Sequence, residues 1–410
     1  MKLTKRLGIL GLAIFIGLAG CQKEENLTLK DSNQEKEITN LVNYESGDVI
    51  PGQYIVVFEG DKTKKANWDK LEYAAKRDII LNEAKGILER NAMHGKEVKH
   101  VFNSMLQGFS AKFSEEEVAK LKEDDKVSYI EEDRYVILGP PEWANNDKEE
   151  DDGGTTTQDT PWGITRVNGA VDATGKVAWI IDTGIDLDHP DLNVDANRSY
   201  TVFTTGRDKT ADDGNGHGSH VAGTVAAIDN DQGVVGVAAG ATVVAVKVLD
   251  SRGSGSTSGV IEGIDYVGAN ASSGDVANMS LGGGISDALD DAVLSASQNG
   301  IIFALAAGNE SDDANNHSPA RVEGSNIYTI SAMDDTDTWA SFSNYGNPPI
   351  EYCAPGVDIK STWKDGGYNT ISGTSMASPH AAGVLLLGNP SSDGYVIGDP
   401  DGDPDPIIYN

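Results

Sequence analysis

The chain has 410 residues, 39% of them apolar, which is long enough for more than one domain and apolar enough for a buried core. With 64 acidic and 32 basic side chains, its formal net charge at pH 7 is −32. Because nucleic-acid binding requires a basic face, this charge argues against nucleic acid as a partner and favours cations.

The N-terminus has the pattern of an export signal. The basic segment MKLTKR precedes the apolar run LGILGLAIFIGLAG, which is short for a membrane span, so we assign residues 1–20 to a signal peptide. Its end, LAG followed by Cys21, resembles the lipobox of bacterial lipoproteins. This implies a lipid anchor at Cys21 and an outer-membrane or cell-surface protein, whose mature form either stays anchored or enters the medium. The alternative is an ordinary cleaved signal.

Three zones follow the signal. Residues 21–50 are polar and predict a disordered tether. Over residues 51–137 the strand and helix patterns run β-α-β-β-α-β, and a capping box, Ser114 to Glu117, opens the second helix. This order predicts a ferredoxin-like α+β domain. Residues 138–157 combine prolines, glycines and a run of acidic side chains, which predicts an exposed linker open to proteolysis.

Residues 158–390 predict an α/β domain, because apolar strand-like runs alternate with helical stretches. The strand-like runs are VAWII, VVAVKV, VANMS, IIFALAA and IYTISA. We expect three αβα layers, with helices on both faces of a mainly parallel sheet and the active site at the carboxyl ends of its strands. Residues 391–410 are acidic and rich in proline, which predicts a solvated tail; a calcium loop there is the alternative, although it lacks the usual bidentate Glu.

The cysteine count excludes an internal disulfide as a source of stability. Cys353 is the only cysteine after Cys21, so an internal disulfide cannot form once Cys21 is set aside. The surrounding EYCAPG segment is typical of a small core residue. We therefore assign Cys353 no chemical role.

Four polar residues stand where an active site is expected. Asp182 and Asn309 follow predicted strands, while His217 and Ser375 stand at the starts of predicted helices. A serine hydroxyl becomes a good nucleophile when an imidazole takes its proton and a buried carboxylate orients that imidazole. The amide of Asn309 and the backbone N–H of Ser375 are suited to bind an oxyanion.

Each of these residues also has a simpler interpretation. Ser375 alone is equally a helix cap, and Asp182 alone a turn residue. His380 is nearer to Ser375 in sequence, but five residues of helix place it about 140° around the axis. His217 and His220 have the spacing of a metal pair, but the HGSH segment lacks the Glu of a zincin site.

The sequence blocks around these residues resemble those of subtilisin-like serine proteases. The blocks are IIDTGIDLDHPDL, DGNGHGSHVAGT, AAGNE and SGTSMASPH. Other segments, VKVLDSRGSGS and SFSNYG, are similar to the proteinase K-like branch, and YIVVF, GFSAKF and VSYIEEDR resemble the inhibitor I9 propeptide of this family. The resemblance implies a monomeric, self-processing zymogen that cleaves peptide bonds and is inhibited by its own propeptide. It implies a maturation cut shortly before Gln158.

The same resemblance implies a substrate-binding surface. Two strand edges are expected to hold an extended peptide between them by main-chain hydrogen bonds, with a side pocket for the residue before the cut bond. The residues of the two edges are Ser280, Leu281, Gly282 and, opposite, Gly253, Ser254, Gly255. The residues of the pocket wall are Ala306, Ala307 and Gly308, together with Leu281 and Gly282.

A structural calcium ion is also expected, since the chain is acidic and the DHPDL and IDNDQGVV segments offer oxygen ligands on a loop that can curl. The ligand positions that the family resemblance implies are Gln158, Asp191, Ile228, Asn230, Gln232 and Val234. A solvated acidic loop is the alternative. No organic cofactor is expected.

Two other functions have to be compared with the protease. The GTSMA segment approximates the nucleophile elbow of a serine esterase, but that fold needs an acid and then a histidine after the serine, and only His380 follows here. A catalytically silent binding protein on the same scaffold is the third hypothesis, and the four intact active-site positions argue against it.

Overall fold

The computed structural model describes residues 44–59, 68–139, 157–388 and 390–410. The predicted signal peptide, Cys21 and the greater parts of the tether and the linker lie outside these residues. Among the residues described, no helix has both the length and the apolar character needed to cross a membrane.

The pro-region, residues 45–139, has the predicted β-α-β-β-α-β order. Its antiparallel sheet has the strand order β4-β1-β3-β2, and a capping box opens the second helix. The elements are β1 Val49–Phe58, α1 Tyr73–Arg90, β2 Val98–Phe102, β3 Gly108–Lys112, α2 Glu115–Leu121 and β4 Val127–Ile137, with a short 3-10 turn at Trp68–Lys70.

The two faces of β1 pack against different partners. Val56 and Phe58 lie in one core cluster with residues of α1 and α2. Ile55 and Val57 lie in another, together with helices of the α/β region, which comprises the described residues from 157 onward. Because successive side chains of a strand point to opposite faces, this one strand joins the core of the pro-region to that of the α/β region.

The α/β region is built on a ten-stranded sheet of order β20-β21-β17-β16-β14-β12-β6-β10-β7, with β8 also paired to β10. Every pairing in it is parallel except β20 with β21. The strands of this sheet are β6 Val177–Asp182, β7 Asn193–Val194, β8 Tyr200–Thr201, β10 Thr242–Lys247, β12 Val276–Met279, β14 Ile302–Ala306, β16 Ile327–Met333, β17 Ile350–Pro355, β20 Ser391–Tyr395 and β21 Pro406–Tyr409. The five strand-like runs of the sequence correspond to β6, β10, β12, β14 and β16.

Helices cover both faces of this sheet, as predicted. The helices are α3 Trp162–Arg166, α4 His217–Ala226, α5 Thr257–Asn270, α6 Asp287–Ser297 and α7 Thr374–Leu387. Ala178 and Ile180 of β6 lie in one core cluster with α4 and α7, while Trp179 and Ile181 lie in the other with α5 and α6. The remaining strands are β5 Val171–Asp172, β9 Ala238–Ala239, β11 Ser254–Ser256, β13 Gly283–Gly284, β15 His317–Ser318, β18 Ile359–Thr362 and β19 Tyr368–Ile371, and 3-10 turns lie at Arg207–Lys209 and Ala314–Asn316.

The prediction of a solvated tail at residues 391–410 is wrong. β21 pairs in parallel with β17, and its Ile407 and Ile408 are buried. Asp405 is buried as well: its carboxylate accepts hydrogen bonds from the Ser331 hydroxyl and from Asn347, and burial raises its pKa to about 6. The short apolar run PIIY forms β21 of the main sheet. It directly follows a run of aspartates, so the composition of the segment did not indicate a strand.

The boundary of the predicted tether at residue 50 is also wrong. β1 begins at Val49, and the preceding residues, which include Ser46 and Gly47, form a turn that contacts the α/β region. The polar composition of this turn concealed the contact, because its hydrogen bonds run to backbone atoms distant in sequence. The ordered pro-region therefore begins before its first strand.

Candidate active site

Asp182 and His217 meet at the carboxyl end of the parallel sheet. Asp182 is the last residue of β6 and is fully buried, and His217 is the first residue of α4. His217 Nδ1 lies 2.8 and 3.0 Å from the two carboxylate oxygens of Asp182. This contact fixes the tautomer with its proton on Nδ1, so Nε2 is the nitrogen that can act as a base.

The environment of His217 changes its affinity for protons. Burial lowers the pKa of His217, but the charge of Asp182 and the hydrogen bond to it outweigh this effect and leave the pKa above its ordinary value. A carboxylate that stabilises the imidazolium makes the imidazole a stronger base.

Ser375 is the second residue of α7, after a cap residue that is Gly373, so the alternative of a capping serine does not apply. Pro379, four residues later, has no N–H to donate to the Ser375 carbonyl. That carbonyl accepts from Ser280 Oγ at 2.7 Å instead, and Ser375 Oγ donates to the Ser280 carbonyl at 3.2 Å. The start of α7 is thereby held against the strand edge that begins at Ser280.

Asn309 follows β14 and presents its amide to the same cleft as His217 and Ser375. Asn309 Oδ1 accepts hydrogen bonds of 2.9 Å from both the backbone N–H and the hydroxyl of Thr374. This leaves Nδ2 as the group that can donate to an oxyanion. The sequence analysis did not identify Thr374 as the residue that orients the Asn309 amide, although its position directly before Ser375 could have indicated a role in the site.

The other two histidines considered from sequence point elsewhere. His380 Nδ1 lies 2.8 Å from the Met376 carbonyl, and burial lowers its pKa to about 4. His220 Nε2 lies 2.9 Å from the Ile359 carbonyl, and burial lowers its pKa to about 3. Both are buried histidines engaged with backbone oxygens.

The pro-region occupies one predicted substrate edge. The edge lies in and beside β11, which pairs antiparallel with the end of β4. Leu138 N donates to the Gly253 carbonyl at 2.9 Å, Ser254 faces Ile137 and Gly255 faces Val136. Leu138 and Gly139 then line the cleft together with Ser375. The last described residues of the pro-region thus lie as an extended peptide does in β-augmentation.

The opposite edge is covered by the turn before β1. Ser46 Oγ donates to the Gly282 carbonyl at 2.9 Å and accepts from the N–H of Ile137 at 3.2 Å. Gly47 lies so close to Gly284 that a Cβ on Gly47 would come within 2.8 Å of the Gly284 nitrogen. No local sequence pattern predicts the contacts of Ser46, because its hydrogen-bond partners lie more than 90 residues away in the chain.

The predicted side pocket is part of the same cleft. Its walls include Leu281 and Gly282 on one side and Ala306, Ala307 and Gly308 on the other. All five line a cleft of about 600 Å³ that also holds His217, Asn309 and Ser375. The structure therefore brings the predicted triad and the predicted pocket to one location.

Carboxylates of the pro-region accept hydrogen bonds from the first turns of α5 and α6. Asp133 accepts from the backbone N–H of Ser258 in the first turn of α5, at 3.0 Å, and Glu131 accepts from Ala288 N in the first turn of α6, at 3.3 Å. Such contacts satisfy free N–H groups and favour negative charge at a helix start. In return, Asp265 of α5 accepts the backbone N–H groups of residues 103–105.

The predicted calcium ligands also lie together. Asp191, which is buried, accepts from Asn230 Nδ2 at 2.8 Å and from Val234 N at 3.0 Å. Gln158 Oε1 accepts from Asn230 N at 2.7 Å. Ile228 N donates to the Asp191 carbonyl, and Gln232 N to Asn230 Oδ1. Among the described residues, no group of three or more His, Cys, Asp or Glu side chains is placed to hold a metal, and this candidate set contains only one carboxylate.

Comparison with known proteins gives consistent matches. Residues 174–391 match the model of the subtilase family, and residues 53–138 match the model of peptidase inhibitor I9. The chain is 40% identical over 349 residues to the alkaline serine exoprotease A of Vibrio alginolyticus, covering 82% of this chain and 60% of that protein. It is 36% identical over 387 residues to the extracellular serine proteinase of Thermus sp. (strain Rt41A), covering 92% of this chain and 89% of that protein. A solved structure of a cold adapted subtilisin-like serine proteinase is 47% identical, with a TM-score of 0.49, and the match covers 55% of this chain and 83% of that chain.

Proposed function

Because the chain belongs to the subtilase family of serine proteases and carries an inhibitor I9 region, we propose that it is an exported endopeptidase made as a self-processing zymogen. The observation that supports this most is the 2.8 Å contact between the buried Asp182 and His217, because His217 lines the same cleft as Ser375 and an extended segment of the chain itself. Its substrates are proteins and peptides, and it acts as a monomer.

The reaction begins when Ser375 Oγ turns from the Ser280 carbonyl to His217 Nε2 and attacks the carbonyl carbon of the peptide. His217 takes the hydroxyl proton, and the Asp182 carboxylate stabilises the imidazolium. Asn309 Nδ2 and the N–H of Ser375 donate to the oxyanion. His217 then passes its proton to the leaving amine. In the second half, His217 takes a proton from a water molecule, whose oxygen attacks the acyl carbon. The bond from that carbon to Ser375 Oγ then breaks, Oγ receives the proton from His217, and the acid product leaves.

The pro-region acts as the intramolecular inhibitor of this site. Its β4 end and the turn at Ser46 cover both edges that a substrate would pair with. The maturation cut falls in the linker, and the earlier expectation of a cut shortly before Gln158 concerns residues outside those described. Release of both segments is needed before an external peptide can bind.

A direct test of the proposed activity is the digestion of an unfolded protein by the purified mature enzyme. An endopeptidase yields internal fragments from the first minutes, whereas an exopeptidase yields single residues or dipeptides. Treatment with a fluorophosphonate should stop the reaction. Hydrolysis of simple esters without any cleavage of peptides would support the esterase hypothesis instead.

We propose one structural calcium ion, held by the six predicted ligands Gln158, Asp191, Ile228, Asn230, Gln232 and Val234. These supply carboxylate, amide and backbone oxygens, the donors that Ca²⁺ prefers. Burial raises the pKa of Asp191, which is the situation of a carboxylate that a cation would stabilise. The ion would tie the segment at Gln158 to the loop at residues 228–234.

Removal of calcium by a chelator is expected to lower the melting temperature of the mature enzyme by about 5 to 10 °C. With free calcium at about a hundred times its dissociation constant, binding contributes roughly 2.7 kcal/mol to stability, and each kcal/mol shifts the melting temperature of a domain of this size by about 2 to 4 °C. Calorimetry with calcium and with chelator measures the shift.

Asp191→Ala should reproduce the lower melting temperature and abolish the response to chelator. Asp335→Ala, an exposed aspartate on another loop, serves as the control and should keep the response. Equal melting temperatures of the unaltered enzyme with calcium and with chelator would contradict the site.

We propose that Cys21 carries the lipid that anchors the exported protein to the outer membrane or cell surface. Cys21→Ser is expected to move the protein from the detergent phase to the aqueous phase, because each buried CH₂ of an acyl chain contributes about 0.8 kcal/mol to membrane binding. Phase partitioning and the intact mass of the N-terminal peptide measure this. Unchanged partitioning would favour an ordinary secreted protein.

A further inference from the structure

The end of the pro-region enters the cleft as an extended segment between the two substrate edges. Leu138 N donates at 2.9 Å to a carbonyl of the edge that includes β11. On the other side, Ile137 N donates to Ser46 Oγ at 3.2 Å, and that hydroxyl donates to the Gly282 carbonyl. Because backbone N–H groups alternate in direction along an extended strand, the N–H of the next residue, Gly139, points to the same side as that of Ile137.

The register on that side determines which residue of the pro-region reaches Ser375. A Cβ on Gly284 would lie 3.6 Å from Arg134 Cδ, whereas Ile137 is bridged to Gly282. Rising residue numbers in the pro-region therefore face falling numbers on the edge, as in an antiparallel pair.

Gly139 therefore comes opposite Ser280, two residues further along both segments. The Ser280 carbonyl accepts from Ser375 Oγ at 3.2 Å, and Gly139 lines the cleft together with His217 and Ser375. The carbonyl carbon of Gly139 is thus the one that the pro-region presents to the Ser375 hydroxyl. The nitrogen bonded to that carbon belongs to Pro140, the next residue of the sequence.

A prolyl nitrogen hinders the cleavage of such a bond. In proline a ring carbon, Cδ, takes the place of the amide hydrogen. When the tetrahedral intermediate collapses, His217 must deliver a proton to the leaving nitrogen, and the ring obstructs this approach. Proton transfer from a positioned side chain contributes about 10²- to 10⁴-fold to the rate of such reactions. Without that transfer the intermediate returns to the intact peptide.

On the basis of the protease function proposed above, we propose that Pro140 makes the end of the pro-region an inhibitor that is not cut. The Gly139–Pro140 bond is held at Ser375 and stays intact. The maturation cut must then fall at a later bond of the linker, and that bond can reach Ser375 only after residues 137–139 have left the cleft. Their release therefore limits how fast the zymogen matures.

The test compares the full-length chain with its Pro140→Ala variant. Each precursor is unfolded in denaturant and diluted into buffer, and intact mass and N-terminal sequencing identify the fragments over time. Because Pro140→Ala replaces the prolyl nitrogen with an ordinary amide, the chain should break after Gly139 about 100- to 10,000-fold faster than the unaltered chain breaks there.

The break in Pro140→Ala follows the chemistry of the site. Ser375 Oγ attacks the Gly139 carbonyl carbon, the hydroxyl proton passes through His217 to the nitrogen of residue 140, and water then releases Gly139 from Ser375. The break should be first order and independent of protein concentration, because the bond lies in the cleft of its own chain. A rate proportional to protein concentration would contradict this placement of the bond.

Pro141→Ala is the matched control, because it keeps the prolyl bond after Gly139 and should show no break there. Pro140→Ala combined with Ser375→Ala should also stay intact. A fragment of the unaltered protein that begins at Pro140 would overturn the role of Pro140 and leave the protease function standing. The same holds if Pro140→Ala does not break after Gly139, although it matures and digests unfolded protein. If neither chain matures or digests unfolded protein, both proposals are overturned.

Discussion

The Ser375→Ala protein is expected to accumulate with its pro-region still attached and to hydrolyse peptides about 10⁶-fold more slowly than the unaltered enzyme. That magnitude is the one established for the serine of the same triad in subtilisin. The reason is chemical, because cutting the linker and cutting a substrate both need the same nucleophile. An intact mass of the purified protein and a peptide assay measure the two effects.

Two controls make this result specific. Ser391→Ala changes an exposed serine that does not line the cleft, and this protein should mature normally. The Ser375→Ala precursor should be cut when a trace of active enzyme is added, which shows that its linker remains accessible. Appearance of mature Ser375→Ala protein in the absence of other proteases would contradict self-processing.

Asp182→Asn is expected to lower kcat about 10⁴-fold, again the magnitude known for this exchange in a Ser-His-Asp triad. The asparagine amide can donate to His217 Nδ1 and so favours the tautomer with its proton on Nε2, which cannot act as the base. The loss of charge also matters. Because the Asp182 carboxylate raises the pKa of His217, its removal should lower that pKa.

The pH profile distinguishes this mechanism from a loss of folded protein. Activity needs neutral His217, so kcat/KM falls as the pH drops through the pKa of His217. With that pKa lowered, the acid limb of the Asp182→Asn profile should lie at lower pH than that of the unaltered enzyme. Asp188→Asn, an exposed neighbour in sequence, should alter neither kcat nor the profile. A loss of less than tenfold in Asp182→Asn would contradict the assigned role of Asp182.

The common location of the four proposed catalytic residues could be predicted because each follows from a local pattern. Asp182 and Asn309 follow apolar strands, while His217 and Ser375 open helices, and a parallel sheet brings such positions to one edge. The strand and helix patterns of the pro-region were equally clear, including the capping box at Ser114. Local periodicity of apolar residues was sufficient to predict these strands and helices.

The errors arose where long-range contacts outweigh composition. The aspartates of residues 399–405 concealed β21, whose Ile407 pairs with Cys353 in the main sheet. The polar turn at Ser46 resembled a tether, but its hydrogen bonds reach Gly282.

The most direct test of the central claim is mass spectrometry of the purified mature enzyme after reaction with a fluorophosphonate. The assignment of Ser375 as a nucleophile activated by His217 predicts one covalent adduct per chain, located on the peptide that contains Ser375, together with complete loss of peptide hydrolysis. The precursor, whose cleft is covered by the pro-region, should react far more slowly. Active mature enzyme that acquires no adduct, or an adduct on a different residue, would contradict the claim.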